Sequence, residues 1–276
     1  MKKLLLGSAA LIAASAAPLA AQAQDISVTT GVDVVTDYVF RGVSLADTAV
    51  QPYVEVSSGA FTAGAWFSTG LGDTSLFAAD EVDLYLGYSV PTEGAISLDF
   101  GVTYYHYPQF GSLFSTSGSL DDDFRDADAL DDVGDILGLD EDDIDGAFED
   151  LVSGTYEVSA SVGFDSVLSP SVTAYYDLTL EALTLEGGIS HSVPVSDKTS
   201  FDLGATVGLV SVDGDGDYEY GQLSASLGYA FTDAVSGYVG ANYALSSEDT
   251  LGFKKTLLGD PKDNLLFFGA GVSAGF

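Results

Sequence analysis

Residues that could form a catalytic pair are few in this sequence. Its two histidines are His106 and His191, and it contains no cysteine that could act as a nucleophile or bind a metal. His191 stands between Ser190 and Ser192, but neighbouring residues of a strand point to opposite faces. These serines therefore cannot be presented to His191, and no Gly-x-Ser-x-Gly elbow occurs. The sequence predicts that the protein is not an enzyme and uses no cofactor.

Aspartate clusters could instead bind a divalent cation. An EF-hand loop needs acids at positions 1, 3 and 5, glycine at position 6 and glutamate at position 12. A candidate that begins at Glu141 supplies Asp143, Asp145 and Gly146 but ends in Val152. A second candidate lacks both the glycine and the closing glutamate, and its acids are Asp213, Asp215 and Asp217. Both are weak metal candidates, and a solvated acidic loop is the preferred interpretation.

Acidic residues far outnumber basic ones. The chain has 42 acidic and 8 basic residues, with a formal net charge of −34. Nucleic acid is disfavoured as a partner, because binding its phosphates requires lysine and arginine. In the stretch "VTDYVFRG", residues 35–42, Asp37 and Arg41 interrupt an otherwise strand-like pattern. A strand with such charges must present them to a polar surface.

Alternation of apolar and polar residues recurs through most of the chain. It is clear over residues 96–105, 156–164 and 201–209. The polar face is rich in glycine, serine and threonine but poor in lysine, unlike the wet face of a soluble sheet. Aromatic residues near segment ends, Tyr38 and Phe40 among them, fit the girdles of a membrane barrel. The predicted fold is all-β: a transmembrane antiparallel up-and-down barrel with apolar residues facing lipid, rather than a soluble sandwich.

About twelve strands are expected in one domain, residues 24–276. Residues 108–152, between the fifth and sixth strands, include the run "DDDFRDADALDDVGDILGLDEDDIDGAFED". This segment is predicted to be an acidic extracellular loop insertion with short helices. The expected strands are 27–40, 49–58, 60–70, 80–90, 95–107, 153–164, 171–181, 183–194, 200–210, 219–230, 235–246 and 264–276.

Inward acidic residues would line the lumen of this barrel. Because Tyr38 and Phe40 are assigned to lipid, Arg41 is assigned to the inner face. Its expected partners are inward acids on other strands, so that it acts as a structural lock or, alternatively, as a selectivity element; the candidates are Glu55, Asp83 and Asp99. A lumen wall that carries charge of one sign concentrates counter-ions, so the acidic wall predicts a channel that prefers cations. The predicted pore-lining residues are Asp33, Asp37, Arg41, Glu55, Asp83, Asp99, Glu157, Asp177, Glu186 and Asp202.

Both ends of the chain carry export signals. Residues 1–23 combine two lysines, an apolar run and a small-x-small site that ends at Ala23, and they are predicted to be a signal peptide. Cleavage near Ala23 would send the chain to the outer membrane of a Gram-negative bacterium. Phe276 closes the alternating run "FFGAGVSAGF", and this ending resembles the signal that the barrel-assembly machinery reads.

Three stretches carry a family resemblance. Asp-Tyr-x-Phe-Arg-Gly-x-Ser occupies residues 37–44, Gln51-Pro52 begins the next strand, and Trp66 lies in a strand of small residues. "YYHYP", residues 104–108, ends a later strand. Together they resemble the TorF-type porin family, proteobacterial outer-membrane barrels of uncertain function. The resemblance is specific over residues 36–69, and it implies a barrel that acts as a channel.

The predicted function is a porin-like channel for small solutes or ions. The alternative is a plugged barrel that acts as a receptor, an adhesin or a cation-binding surface through its acidic loop. Expected partners are outer-membrane lipid, the barrel-assembly machinery and small solutes or cations.

Overall fold

A closed antiparallel barrel makes up the part of the chain that the computed structural model describes, residues 26–71, 80–108, 154–212, 216–252 and 262–276. Each strand pairs with its neighbours in sequence, and the first pairs with the last. Closure satisfies backbone hydrogen bonds within the wall, as a sheet in lipid requires. The strands are β1 (Ser27–Phe40), β2 (Val43–Ser58), β3 (Phe61–Gly70), β4 (Asp80–Ser89), β5 (Ile96–His106), β6 (Gly154–Phe164), β7 (Ser171–Asp177), β8 (Ala182–Ser196), β9 (Thr199–Val212), β10 (Gly216–Ala230), β11 (Val235–Ser246) and β12 (Asn264–Gly275).

The outer surface of the barrel is apolar. Leu86, Val102 and Val207 point outward and expose 64%, 48% and 67% of their surface. An apolar outer face is stable in hydrocarbon and unfavourable in water. The prediction of a twelve-stranded antiparallel membrane barrel is therefore confirmed. No described residue belongs to a helix long and apolar enough to span a membrane. The acidic loop was predicted over residues 108–152, and all of these except Pro108 lie outside the described residues.

The start of β1 meets Phe276, the residue that follows β12, at one end of the barrel. Val28 and Phe276 exchange backbone hydrogen bonds of 3.1 and 2.9 Å. Tight turns lie at the same end, including the β2–β3 turn at Gly59 and the β8–β9 turn at Lys198. Short turns face the periplasm in bacterial barrels. The β1–β2 connection at Arg41 and Gly42 is consequently at the extracellular end.

The β1–β2 hairpin leaves the wall before it turns. The pairing of β1 with β12 ends at Val35, and β2 joins β3 only around Thr48 and Ala49. Residues 36–48 are here called the infolded hairpin, and within it residues 37–47 pair with each other rather than with β12 or β3. The tip has positive φ at both Arg41 (43°) and Gly42 (78°). Such a two-residue turn follows the right-handed twist of the strands.

Both faces of the infolded hairpin are buried inside the barrel. Tyr38 and Phe40 lie in an aromatic cluster with Trp66 of β3 and residues at the end of β5. Val39 packs against the inner side of β11 and β12. The assignment of Tyr38 and Phe40 to the lipid face is therefore wrong, because the chain turns into the lumen after Val35. For the same reason β2 begins at Val43, earlier than the predicted strand at 49.

The open edge of the infolded hairpin is hydrogen-bonded to the segment that follows β11. The Ser44 N–H donates to the Thr250 carbonyl at 3.0 Å, and the Thr250 hydroxyl donates to the Gly42 carbonyl at 2.6 Å. The Gly252 N–H donates to the Ser44 hydroxyl at 2.8 Å. Buried backbone groups need such partners, so this segment stabilises the hairpin within the lumen.

Candidate functional site in the lumen

Arg41 at the tip of the infolded hairpin reaches the opposite wall of the barrel. Its contacts are on β6, β7 and β8: Glu157, Tyr175 and Thr184. In the closed order of twelve strands, β7 and β8 stand across the lumen from β1 and β2. The hairpin therefore crosses the extracellular end of the lumen.

The guanidinium of Arg41 is held by charge, hydrogen bonds and aromatic rings. Two of its nitrogens donate to the two carboxylate oxygens of Glu157 at 2.7 and 3.0 Å. Its Cζ lies 4.1 Å from the centre of the Tyr175 ring and 4.6 Å from that of Phe40, within cation–π range. Nη1 also lies 3.5 Å from the Thr184 hydroxyl. Glu157, Tyr175 and Thr184 are here called the Arg41 cage.

Two tyrosines fix the carboxylates around this site. Tyr105 of β5 donates to Glu157 Oε1 at 2.9 Å, which orients the carboxylate toward Arg41. On the near side, Tyr38 of the hairpin donates to Glu81 of β4 at 2.8 Å. Hydrogen bonds to charged groups are stronger than neutral ones. The hairpin is therefore attached by polar contacts to both walls.

A three-strand arrangement recurs on the inner wall below the hairpin. In each case a tyrosine is the register partner of a glycine on the adjacent strand, and the tyrosine ring lies over that glycine. The tyrosine hydroxyl reaches past the glycine to a side chain on the third strand, which is the glycine's register partner on its other side. A Cβ on any of these glycines would overlap the ring. The sets are Tyr85–Gly64–Glu55, Tyr220–Gly208–Glu186, Tyr238–Gly271–Asp33 and Tyr53–Gly31–Ser273.

These tyrosine–glycine pairs shape the lumen. A glycine leaves room for a neighbouring group to approach the backbone closely, so each ring can lie flat against the wall. The hydroxyl of Tyr85 donates to Glu55 at 3.1 Å, and that of Tyr220 donates to Glu186 at 2.5 Å. The rings are thus kept along the wall, and the carboxylates are fixed in place.

The structure places eight of the predicted pore-lining acids on the inner wall and the other two residues on the infolded hairpin. Asp177 accepts two backbone N–H groups at 2.8 Å and closes the β7–β8 turn. Asp202 accepts hydroxyls from Ser192 and Ser200 near the periplasmic end. The wall acids are Asp33, Glu55, Asp83, Asp99, Glu157, Asp177, Glu186 and Asp202, and the hairpin residues are Asp37 and Arg41.

The partner of Arg41 differs from those predicted. The expected candidates were Glu55, Asp83 and Asp99, whereas the ion pair is with Glu157. The predictions assumed that Arg41 lies in the wall, but the hairpin carries it across the lumen. Glu81, which binds Tyr38, was missed for the same reason. An Arg-Gly pair at a two-residue turn after the apolar run Tyr38 to Phe40 is the signal that could have revealed a buried hairpin.

The remaining candidates lie apart from the lumen site or outside the described residues. Of the weak metal candidates, Asp143, Asp145, Asp213 and Asp215 lie outside the described residues, and Asp217 is in β10. Where the chain is described, no group of three histidine or acidic side chains is arranged to hold a metal ion. The Nδ1 atom of His191 is 2.7 Å from the Val167 carbonyl, and His106 stacks on Tyr104.

Known proteins resemble this chain in part of its sequence and in its fold. Residues 20–119 match the model of Gcw_chp, a bacterial protein family of unknown function. No curated protein matches the sequence. The KdgM porin is 10% identical with a TM-score of 0.50, covering 91% of this chain and 99% of that chain. The NanC porin is 13% identical with a TM-score of 0.48, covering 91% of this chain and 99% of that chain. An outer membrane channel from Pseudomonas putida F1 is 10% identical with a TM-score of 0.46, covering 93% of this chain and 97% of that chain. The likeness to KdgM shows a shared fold, the closed outer-membrane barrel.

Proposed function

We propose that this protein is a porin-like outer-membrane channel for small solutes, with a preference for cations. The observation that carries the proposal is the charge of its inner wall. Nine acids of the described strands face inward, the eight wall acids above and Glu81, and no strand in the described part of the chain contains a lysine or an arginine. A low-dielectric wall with one sign of charge gathers counter-ions and repels co-ions. The tyrosines that lie flat over glycines support an unobstructed lumen below the hairpin.

A second candidate is a plugged barrel that acts as a receptor, an adhesin or a cation-binding surface. The infolded hairpin favours it, because this segment crosses the extracellular end and is buried on both faces. The two candidates differ in whether the lumen conducts while the hairpin is in place.

Planar-bilayer recordings separate the candidates when the wild type is compared with a hairpin-less variant. Val35 and Ala49 are register partners, so Asn-Gly can replace residues 36–48 as a two-residue turn. The channel proposal predicts steps in the wild type and larger steps in the hairpin-less variant. A silent wild type beside a conducting variant would favour the plugged barrel. A folded but silent hairpin-less variant would refute the channel proposal.

Charge selection is tested by the reversal potential in a salt gradient. We expect cation preference, stronger at low salt because the screening length is about 30 Å at 0.01 M and about 3 Å at 1 M. Asp99→Asn with Asp202→Asn should reduce the preference, whereas Asp197→Asn in the exposed β8–β9 turn is the matched control. Asp177 is unsuitable because it closes a turn. Anion preference in the wild type would refute the proposed selectivity.

The proposal also includes family, location and assembly. The Gcw_chp match and the resemblance to the TorF-type porin family cover the same first strands, and we infer membership of a TorF-type group. Export through a signal peptide ending near Ala23, residence in the Gram-negative outer membrane and recognition of Phe276 by the assembly machinery complete the proposal. It assigns the protein no catalytic role and no cofactor.

A further inference from the structure

We propose that the Arg41 cage is a binding site for small solutes that carry a guanidinium group, and that such solutes displace Arg41 and release the infolded hairpin. In this structure the hairpin's own guanidinium occupies the site. The binding itself does not require conduction, whereas passage of the solute through the lumen rests on the proposed channel function.

The cage has the chemistry of a guanidinium receptor. Glu157 accepts two parallel N–H donors, a geometry that fits a planar guanidinium and that an ammonium cannot reproduce. Tyr175 offers its ring face to the flat cation at 4.1 Å. A carboxylate and an aromatic ring together select a cation and repel an anion.

The Arg41 cage lies wholly on the wall and does not depend on the hairpin. Glu157, Tyr175 and Thr184 are on β6, β7 and β8, which are held by their own ladders. Tyr105 of β5 still donates to Glu157 when Arg41 is removed, because this bond is made within the wall. The cage thus remains formed after the hairpin has left. Preorganised sites bind ligands more tightly, since less ordering is required.

Loss of Arg41 would leave a buried carboxylate without its counter-charge. The side chain of Glu157 is 5% exposed and that of Arg41 is 12% exposed. A buried charge that loses its partner is strongly unfavourable. A soluble guanidinium can therefore replace Arg41 at Glu157, and the hairpin loses its one ion pair to the far wall among the described residues.

Binding is tested on full-length Arg41→Ala protein, folded in detergent, with methylguanidinium chloride as the probe and calorimetry as the measurement. We expect the Arg41→Ala protein to bind methylguanidinium saturably. The affinity should be at least tenfold weaker in the double variant Arg41→Ala, Glu157→Gln. It should also be at least tenfold weaker in the wild type, because Arg41 competes for the site. Methylammonium, which cannot offer two parallel N–H donors to one carboxylate, should bind at least tenfold more weakly than methylguanidinium. Equal binding with and without Glu157, or no saturable binding, would overturn the site. If Arg41→Ala does not fold, the hairpin-less variant with and without Glu157→Gln gives the same comparison.

Displacement has its own measurement in the wild-type chain. Trp66 is the single tryptophan, and its ring centre lies 5.6 Å from that of Tyr38 in the hairpin. Saturating methylguanidinium should shift Trp66 emission toward that of the hairpin-less variant, and sodium chloride at equal ionic strength should not. Binding with unchanged emission would overturn release of the hairpin. Neither the calorimetry nor the Trp66 emission depends on ionic current. A barrel that binds methylguanidinium but never conducts would therefore refute the channel proposal and leave the binding site intact.

Discussion

Removing the charge of Glu157 should release the infolded hairpin while leaving the barrel folded. Arg41 and Glu157 are both largely buried, and their ion pair is bidentate. Breaking a buried pair by removing one partner costs about 3–5 kcal/mol. Since about 1.4 kcal/mol corresponds to a factor of ten, Glu157→Gln should raise the population of the released hairpin roughly a hundredfold to a few thousandfold. The glutamine amide can still accept from Tyr105, which favours the lower part of that range.

A single cysteine makes this population measurable. The chain has no cysteine, and Ala46 of the hairpin is 1% exposed within the aromatic cluster. In an Ala46→Cys background, a charged thiol reagent reacts only after the hairpin opens, so the labelling rate follows the open population when reclosing is fast. We expect Glu157→Gln to accelerate labelling by the factor above.

Two controls separate hairpin release from other changes. Glu55→Gln removes an inner carboxylate that accepts from Tyr85 but does not contact Arg41, and it should leave the labelling rate near that of the parent. Heat-modifiable gel migration should be unchanged in both variants, because the ladders of the wall are intact. Labelling of the Glu157→Gln protein at the parental rate, or equal acceleration by Glu55→Gln, would refute the proposed attachment.

Two further predictions concern the wall and the membrane. Gly64→Ala should destabilise the barrel by about 1–3 kcal/mol in urea unfolding, because the new Cβ overlaps the Tyr85 ring. Adding Tyr85→Ala should restore part of the lost stability, and Gly87→Ala, where the nearest atom to the new Cβ is 3.7 Å away, is the matched control. If the losses from Gly64→Ala and Tyr85→Ala simply add in the double variant, the pairing is contradicted. The protein should fractionate with the outer membrane and migrate faster on a gel when unheated, because its outer face is apolar; release as a soluble protein without detergent would contradict this.

The barrel could be predicted because its signal is local. Alternation in β5 and β6 gave boundaries of 95–107 and 153–164, and the structure has Ile96–His106 and Gly154–Phe164. A period of two with small polar residues on the second face is enough to indicate which side meets lipid. Register then follows, because a slip of one residue would reverse the two faces.

The infolded hairpin could not be predicted from the same pattern. An apolar residue such as Phe40 is stable either in lipid or in a packed lumen, so alternation does not distinguish the two. The partner of Arg41 lies 116 residues away on the opposite wall, and the alternation pattern does not distinguish Glu157 from the other inward acids. Only the position of the turn in three dimensions selects Glu157. The tyrosine–glycine pairs were missed because each depends on the register of three strands.

The wall and the infolded hairpin are held by different kinds of interaction, and this difference bears on function. The wall consists of continuous ladders between neighbouring strands, and four inward tyrosines lie over glycines of the adjacent strand. The hairpin beyond Val35 has lost its ladder to β12, and it is held by aromatic packing, by the segment around Thr250 and by the Arg41–Glu157 pair. Weakening the ion pair changes the hairpin's equilibrium without loosening the wall. A solute that competes for Glu157 would therefore act on the described segment that crosses the extracellular end of the lumen.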